Sequence, residues 1–159
     1  MRSLVVLSLL SVLPVAFGAS YDRDAFSYQS YKPDDVFGAY TGRRCDIINI
    51  DHVVSLKDAY ESGAKYWTDA KKAVFANDLE NHLPSCSRVN SSKGSAGPRD
   101  FLRRSSDGRG LEYKIIDFCG YVAVYHAVKK KYGLSFKTND PRLFIDCGLR
   151  LSKSSNIYF

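Results

Sequence analysis

The longest uninterrupted apolar character in the chain lies at its start, from Leu4 to Phe17, broken only by Ser8, Ser11 and Pro14. Arg2 precedes it and Ala16-Phe17-Gly18 closes it, which together read as a secretory signal over 1–18. The run is short for a bilayer span and nothing later in the chain could make one, so no stable membrane association is expected after cleavage. Residues 19–35 are polar and tyrosine-rich, with Pro33-Asp34-Asp35 marking a turn, and read as loop.

Beyond residue 35 the pattern alternates between short strands and short helices. Val36 to Tyr40 and Cys45 to Ile50 flank Thr41-Gly42-Arg43-Arg44, the signature of a β-hairpin with a glycine in its turn. Two helical pieces follow, Leu56–Ser62 ended by Gly63 and Asp69–Ala76 capped by Thr68, with Tyr60, Trp67 and Phe75 as apolar anchors. Asn81 to Ser87 reads as a return strand that Pro84 confines to a sheet edge. A helical turn is expected near Asn90, broken by Ser95-Ala96-Gly97-Pro98, and another turn over Arg99–Arg103. Ile115, Ile116, Cys119, Val122, Ala123 and His126 recur at helical spacing, which predicts a long helix from about Leu111 to Tyr132 ended by Gly133. Thr138 or Asn139 is expected to cap a last helix from Asp140 to about Leu149, and 151–159 is a tail. His126 falls on the apolar face of the long helix and reads as a packed residue.

Composition narrows the picture. Removing 18 signal residues, with the charge of Arg2, from 159 residues at net +6 leaves 141 residues at +5, enough for one domain with a core of its own. A modest positive balance suits a polyanionic partner. All four cysteines, Cys45, Cys86, Cys119 and Cys147, lie in the mature part and are bound for an oxidising compartment, so two disulfides are expected, with three connectivities open. Their wide spacing without a Cys-x2-Cys pair argues against a structural zinc site.

The chemistry-bearing residues have a fixed order. Asp51-His52 closes the apolar run Ile47-Ile48-Asn49-Ile50, and Asn81, Asn90 and Lys93 follow as Asn-x8-Asn-x2-Lys. A carboxylate, an imidazole, two carboxamides and a lysine are the groups that metal-assisted phosphodiester hydrolysis requires: oxygens for a hard cation, a base for water, and a cation for phosphate. The stretches Asp46–Trp67, Phe75–Asn81 and Arg88–Pro98, holding Asp-His, Ser-Gly-Ala-x-x-Trp, Phe-Ala-Asn-Asp and Asn-x-Ser-Lys-Gly in this order, resemble the secreted HNH endonucleases of the His-Me finger (ββα-metal) superfamily. The resemblance covers roughly 36–150.

It implies an α+β fold: a ββα-metal core from strands 45–50 and 81–87 and a helical turn near 90–94, braced by C-terminal helices and stapled by disulfides. It also implies roles. His52 would be the general base, Asp51 and Asn90 ligands of one divalent cation, Mg2+ or alternatively Mn2+, and Asn81 the residue that fixes the backbone around the base. Lys93 and Arg88 would hold phosphate. With His52 beside Asn81 on antiparallel strands, counting outward brings Cys45 opposite Cys86–Arg88, which pairs Cys45 with Cys86 and leaves Cys119 with Cys147. Two positions depart from the family pattern: His82 stands where an aliphatic residue is expected, and Phe101-Leu102 where a tryptophan is usual.

No zinc finger, aromatic platform or recognition helix is present to read bases. Arg43, Arg44, Arg88, Lys93, Arg99, Arg103 and Arg104 are left for contacts to the nucleic-acid backbone, which carry no sequence information. The expected function is a secreted, metal-dependent endonuclease of low sequence specificity, acting on DNA rather than RNA. The alternative is a secreted cationic protein that binds nucleic acid or another polyanion on the same fold without turnover.

Overall fold

A computed structural model of the chain describes residues 20–101 and 114–151. The fold is mixed α and β, with a single two-stranded sheet among the described residues. Ile48–His52 (β1) and His82–Cys86 (β2) pair antiparallel, from Ile48 opposite Cys86 to His52 opposite His82. The ladder continues one step further, where the Val53 amide donates to the Asn81 carbonyl at 2.8 Å. Pro84 lies opposite Ile50 and turns its carbonyl outward to the Ala39 amide at 2.8 Å, so its missing N–H removes no bond between the strands.

The expected hairpin over 36–50 is reduced to a single bridge between Phe37 and Arg44. The Thr41 and Gly42 amides both turn back onto the Gly38 carbonyl, at 3.2 and 2.8 Å, so this segment curls instead of extending. β1 correspondingly starts at Ile48, later than expected, and runs through His52. Gly38 is required there by close approach: a Cβ would lie 3.0 Å from the Cys86 nitrogen and 3.1 Å from its Sγ.

Between the strands lie Leu56–Glu61 (α1), a 3-10 turn at Ala64–Tyr66, and Asp69–Ala76 (α2). Ser55 and Thr68 cap α1 and α2 by accepting the Asp58 and Lys71 amides, as serine and threonine do when the preceding chain is extended. A second 3-10 turn, Leu79–Asn81, feeds β2, so Asn81 precedes the strand rather than opening it. Directly after β2 the chain forms Ser87–Lys93 (α3), ended by Gly94 at φ 54°. Asn90 therefore sits inside α3 and is not its cap. Pro98–Phe101 (α4) follows, and the expected positions Arg103 and Arg104 fall outside the described residues, as does the signal.

Phe118–Tyr132 (α5) starts later than the apolar spacing suggests, because the Asp117 carboxylate takes the Gly120 amide at 2.8 Å and caps the helix there. Ile116 is held outside it by its amide N–H, which donates to the Tyr40 carbonyl at 2.9 Å. Pro141–Asp146 (α6) is capped by Asp140, not by Thr138 or Asn139, and ends before the expected Leu149. Asn139 instead joins Tyr125 and Lys129.

The core sits beside the small sheet rather than on it. Val53, Val54, Leu56, Phe75, Val122, Tyr125 and Phe144 are all sealed from solvent. Residues 20–35 lack extended structure, as expected, but they pack: Phe26 is fully buried and meets the Phe75 ring edge-on, 6.3 Å between centroids. Burying a side chain of that size is worth about 1.5–3 kcal/mol, enough to fasten the segment across the strands' ends. Lys129, also fully buried, donates to Asp58 at 3.1 Å and ties α5 to α1.

Two disulfides complete the fold, Cys45–Cys86 and Cys119–Cys147, the pairs reached by counting along antiparallel strands. They span 41 and 28 residues. Replacing Cys45 and Cys86 together by alanine should lower stability by about 2–4 kcal/mol, with a slightly smaller loss for Cys119 and Cys147 because the closed loop is shorter. Urea midpoints of the two double variants measure this. An unchanged midpoint without Cys45–Cys86 would show that strand pairing alone holds the hairpin.

Candidate active site

β1 carries polar residues at its buried end, and the strand geometry sends them apart. Successive side chains on a strand leave it on opposite faces. Asp51 meets α3: its Oδ2 lies 3.0 Å from Lys93 Nζ, its Oδ1 lies 3.3 Å from the same nitrogen, and Tyr40 Oη donates to Oδ2 at 2.5 Å. Lys93 also donates to the His52 carbonyl at 2.8 Å. Asp51 is 3 % exposed and Lys93 1 %. Burial pushes the Asp51 carboxyl up, opposed by Lys93 and Tyr40. Lys93, expected to hold phosphate, is thus enclosed and matched to Asp51.

His52 meets the other side of the hairpin. Its Nε2 is 2.8 Å from the Ala76 carbonyl, and the Nε2 of His82 reaches the same oxygen at 2.9 Å. The two Nε2 atoms are 3.3 Å apart. A carbonyl oxygen only accepts, and it has two lone pairs, so both rings are assigned as Nε2–H tautomers sharing it. His82 Nδ1 then accepts from Tyr31 Oη at 3.2 Å. The Tyr28 ring edge packs 4.5 Å from the His52 ring and completes its enclosure. His52 Nδ1 is left as the acceptor; no protein group takes it among the described residues, and it is not a sealed, unpartnered atom. Desolvation lowers the His52 pKa to about 4, against the carbonyl bond and with help from the charges of His82, Arg23 and Lys93. The ring is neutral at physiological pH.

The turn that follows His52 is held by Asn81, which is fully buried. Asn81 Oδ1 accepts the Val54 amide at 2.8 Å while its Nδ2 donates to the Val54 carbonyl at 3.1 Å. One carboxamide therefore serves both backbone groups of Val54, two residues beyond the imidazole.

Asp51, His52, Asn90, Ser91, Ser55 and Arg23 border one cleft of about 300 Å³. Asn90 Nδ2 donates to Asn49 Oδ1 at 2.9 Å and to the Ile50 carbonyl at 3.2 Å, which leaves its Oδ1 without a protein donor among the described residues. Of the expected site residues the fold brings together Asp51, His52, Asn81, Asn90 and Lys93. Arg43, Arg44 and Arg88 are elsewhere: they border a separate hollow of about 400 Å³ at the disulfide end of the hairpin, beside Cys45 and Cys86. That end is about 13 Å along β1 from His52 at 3.3 Å per residue. Arg99 pairs with its neighbour Asp100 at 3.1 Å. The cation that does reach the cleft is Arg23. It lies in the segment read as plain loop, and only the nearby buried anchor Phe26 could have flagged it.

No protein-family model matches this chain, and no solved structure matches it. The chain is 34 % identical over 90 residues to an uncharacterized secreted protein of Arthroderma benhamiae, a match covering 55 % of this chain and 40 % of that protein. The chain thus spans under half of that relative's length. The protein is extracellular, in line with its secreted relative and its two disulfides.

Removing one member of a buried ion pair leaves the other's charge uncompensated. Lys93→Met should cost about 3–5 kcal/mol, and adding Asp51→Asn should recover part of that loss. A double-mutant cycle by chemical denaturation reads the coupling; additive losses would mean that the pair is solvated. His52 gives a pH signature. An unfolded histidine binds its proton near 6.5, whereas the folded ring does so near about 4. Between these values the unfolded chain holds more protons, so stability falls as pH drops through the window, by roughly 3 kcal/mol in total, and is fully present above 6.5. His52→Asn should flatten that slope relative to the wild type.

Proposed function

We propose that this protein is a secreted, metal-dependent endonuclease that hydrolyses phosphodiester bonds of nucleic acid with His52 as general base. The observation that carries the reading is the His52 ring: neutral, fixed as the Nε2–H tautomer by the Ala76 carbonyl, with Nδ1 left as the acceptor, in a residue that borders one cleft with Arg23 and Asn90. A neutral imidazole with one nitrogen anchored can take a proton from water with the other. Asn81 keeps the imidazole in place through the Val54 backbone. Arg23 supplies a fixed positive charge for the phosphate oxygens, a task that Lys93 cannot perform from its enclosed position. The succession β1, β2, α3, with α3 folded back on β1, supports assignment to the ββα-metal arrangement.

A hard divalent cation, Mg2+ or Mn2+, belongs to this reading. The donor types suit it: Asn90 and Asp51 bring hard amide and carboxylate oxygens, both residues border the same cleft, and Mg2+ keeps much of its own water. When bound, the cation would polarise the phosphoryl group and stabilise the departing 3′-oxygen. Lys93 neutralises Asp51, however, and the site becomes strongly cation-binding only when further negative charge arrives with the substrate. This same closed pair is the observation that favours the second reading, a secreted cationic protein that binds nucleic acid without cleaving it.

Among the described residues no element presents side chains suited to reading base edges, and Arg43, Arg44 and Arg88 sit together in one hollow where they can follow a phosphate backbone. The reading is therefore cleavage of low sequence specificity, with DNA as the expected nucleic acid and affinity that falls as salt rises. Purified mature protein should degrade plasmid DNA in Mg2+ and stop in EDTA, and His52→Ala should lower turnover by about 10²–10⁴-fold while remaining folded. Retention of the DNA without its cleavage, in any divalent metal, supports the binding protein instead. Full activity of a folded His52→Ala variant, or in EDTA, rules out the mechanism.

A further inference from the structure

His82 stands where the family resemblance predicts an aliphatic residue, and it has no part in the hydrolysis above. Its place is not arbitrary. It is the cross-strand partner of His52, the two rings are perpendicular with centroids 4.8 Å apart, and both Nε2 atoms converge on the Ala76 carbonyl. Two ligands about 2.0–2.1 Å from a tetrahedral ion lie about 3.3–3.4 Å from each other, a simple consequence of the tetrahedral angle. The two imidazole nitrogens are 3.3 Å apart. The Ala76 oxygen, at 2.8 and 2.9 Å from them, needs to recede by about half an ångström to become a third corner at the same spacing. Both nitrogens are borderline-soft donors of the kind zinc, copper and nickel select, whereas Mg2+ prefers oxygen.

We propose that the Nε2 atoms of His52 and His82, with the Ala76 carbonyl, form a binding site for a borderline transition-metal ion such as Zn2+, distinct from the oxygen site at Asp51 and Asn90. The ion takes the place of the two Nε2 protons, and each ring moves its single proton to Nδ1, so no net proton is released. On His82 the Nδ1–H then donates to Tyr31 Oη, which gives the ligand the outer-shell partner that metal-binding histidines normally have. On His52 the same shift turns the acceptor at Nδ1 into a donor. The imidazole can no longer accept a proton from water, so metal binding at Nε2 shuts off the base. Regulation of turnover in this sense rests on the nuclease reading; ion binding does not.

Two measurements separate them. Co2+ added to the mature protein should give the visible absorption of a low-symmetry four-coordinate site, and competition by Zn2+ should remove it. Replacing His82 by leucine should weaken that binding by at least about tenfold, since losing a ligand costs no less than losing an outer-shell partner. With plasmid DNA and saturating Mg2+, Zn2+ should inhibit the wild type at least about tenfold and reversibly by chelation, while His82→Leu, compared with its own metal-free rate, escapes inhibition. Tyr31→Phe, which leaves both ligands in place, checks that an effect of His82→Leu is not a packing defect: it should bind Co2+ with only a modest loss. No Co2+ spectrum in the wild type, or an equal spectrum in His82→Leu, overturns the site. A His82-dependent spectrum in a protein that never cuts DNA leaves the site standing and removes the nuclease reading alone.

Discussion

The arrangement depends most on the buried contact between Asp51 and Lys93. Lys93 is the last residue of α3, and its ammonium reaches both oxygens of Asp51 and the backbone carbonyl of His52 in one step. Tyr40 closes the carboxylate from the other side. A seven-residue helix is too short to persist on its own. α3 holds its place because an enclosed charge has no better partner than the carboxylate on β1, and leaving either charge alone in that environment is costly. The pair thereby fixes the distance between the strand that carries His52 and the helix that carries Asn90. The cleft follows from that spacing.

Around this anchor, the same low-polarity surroundings set the state of His52. Tyr28, His82 and the chain at Ala76 remove water from the ring, and removing water disfavours the imidazolium. A ring that stays neutral well into acid suits a proton acceptor in a secreted protein, where ambient pH varies. Neutrality alone would leave the tautomer open. The Ala76 carbonyl closes that choice, because an oxygen that can only accept demands a proton at Nε2. Packing decides the charge of the ring, and one backbone carbonyl decides which nitrogen is left to accept a proton.

Local signals in the chain account for much of this. Thr68 ahead of Asp69–Ala76 and Gly133 after α5 mark helix ends through side-chain and backbone chemistry that acts over a few residues, and both stand as read. The order of Asp51, His52, Asn81, Asn90 and Lys93 was also legible, and the fold gathers all five. What each does once gathered was not. The alternation of strand residues says that Asp51 and His52 diverge, but not that Lys93 will be sealed against Asp51, because that depends on Tyr40 arriving from a segment whose expected strand is only a single bridge. The arginines misled for a related reason. Arg43, Arg44 and Arg88 are close in sequence to site residues, yet a strand carries them steadily away from His52, while Arg23 comes near through the burial of Phe26 far from any motif. His82 escaped because its meaning lies in register: only the pairing of residue 52 with 82 sets two imidazoles on one carbonyl.

The electrostatic balance of the cleft sets an order of events for the proposed chemistry. With Asp51 matched by Lys93, the pair contributes no net charge to the wall. Among the described residues no carboxylate lies within ion-pair distance of Arg23, which borders the same space. The cleft's own charges therefore favour an anion over a divalent cation. A phosphodiester entering beside Arg23 reverses that preference, since its oxygens add the negative charge that Asp51 has already committed to Lys93. Substrate and cation then strengthen each other's binding, by equal factors as linkage requires. On the proposed chemistry the cation is recruited by the nucleic acid rather than stored by the protein, because the buried ion pair has already matched the charge of Asp51.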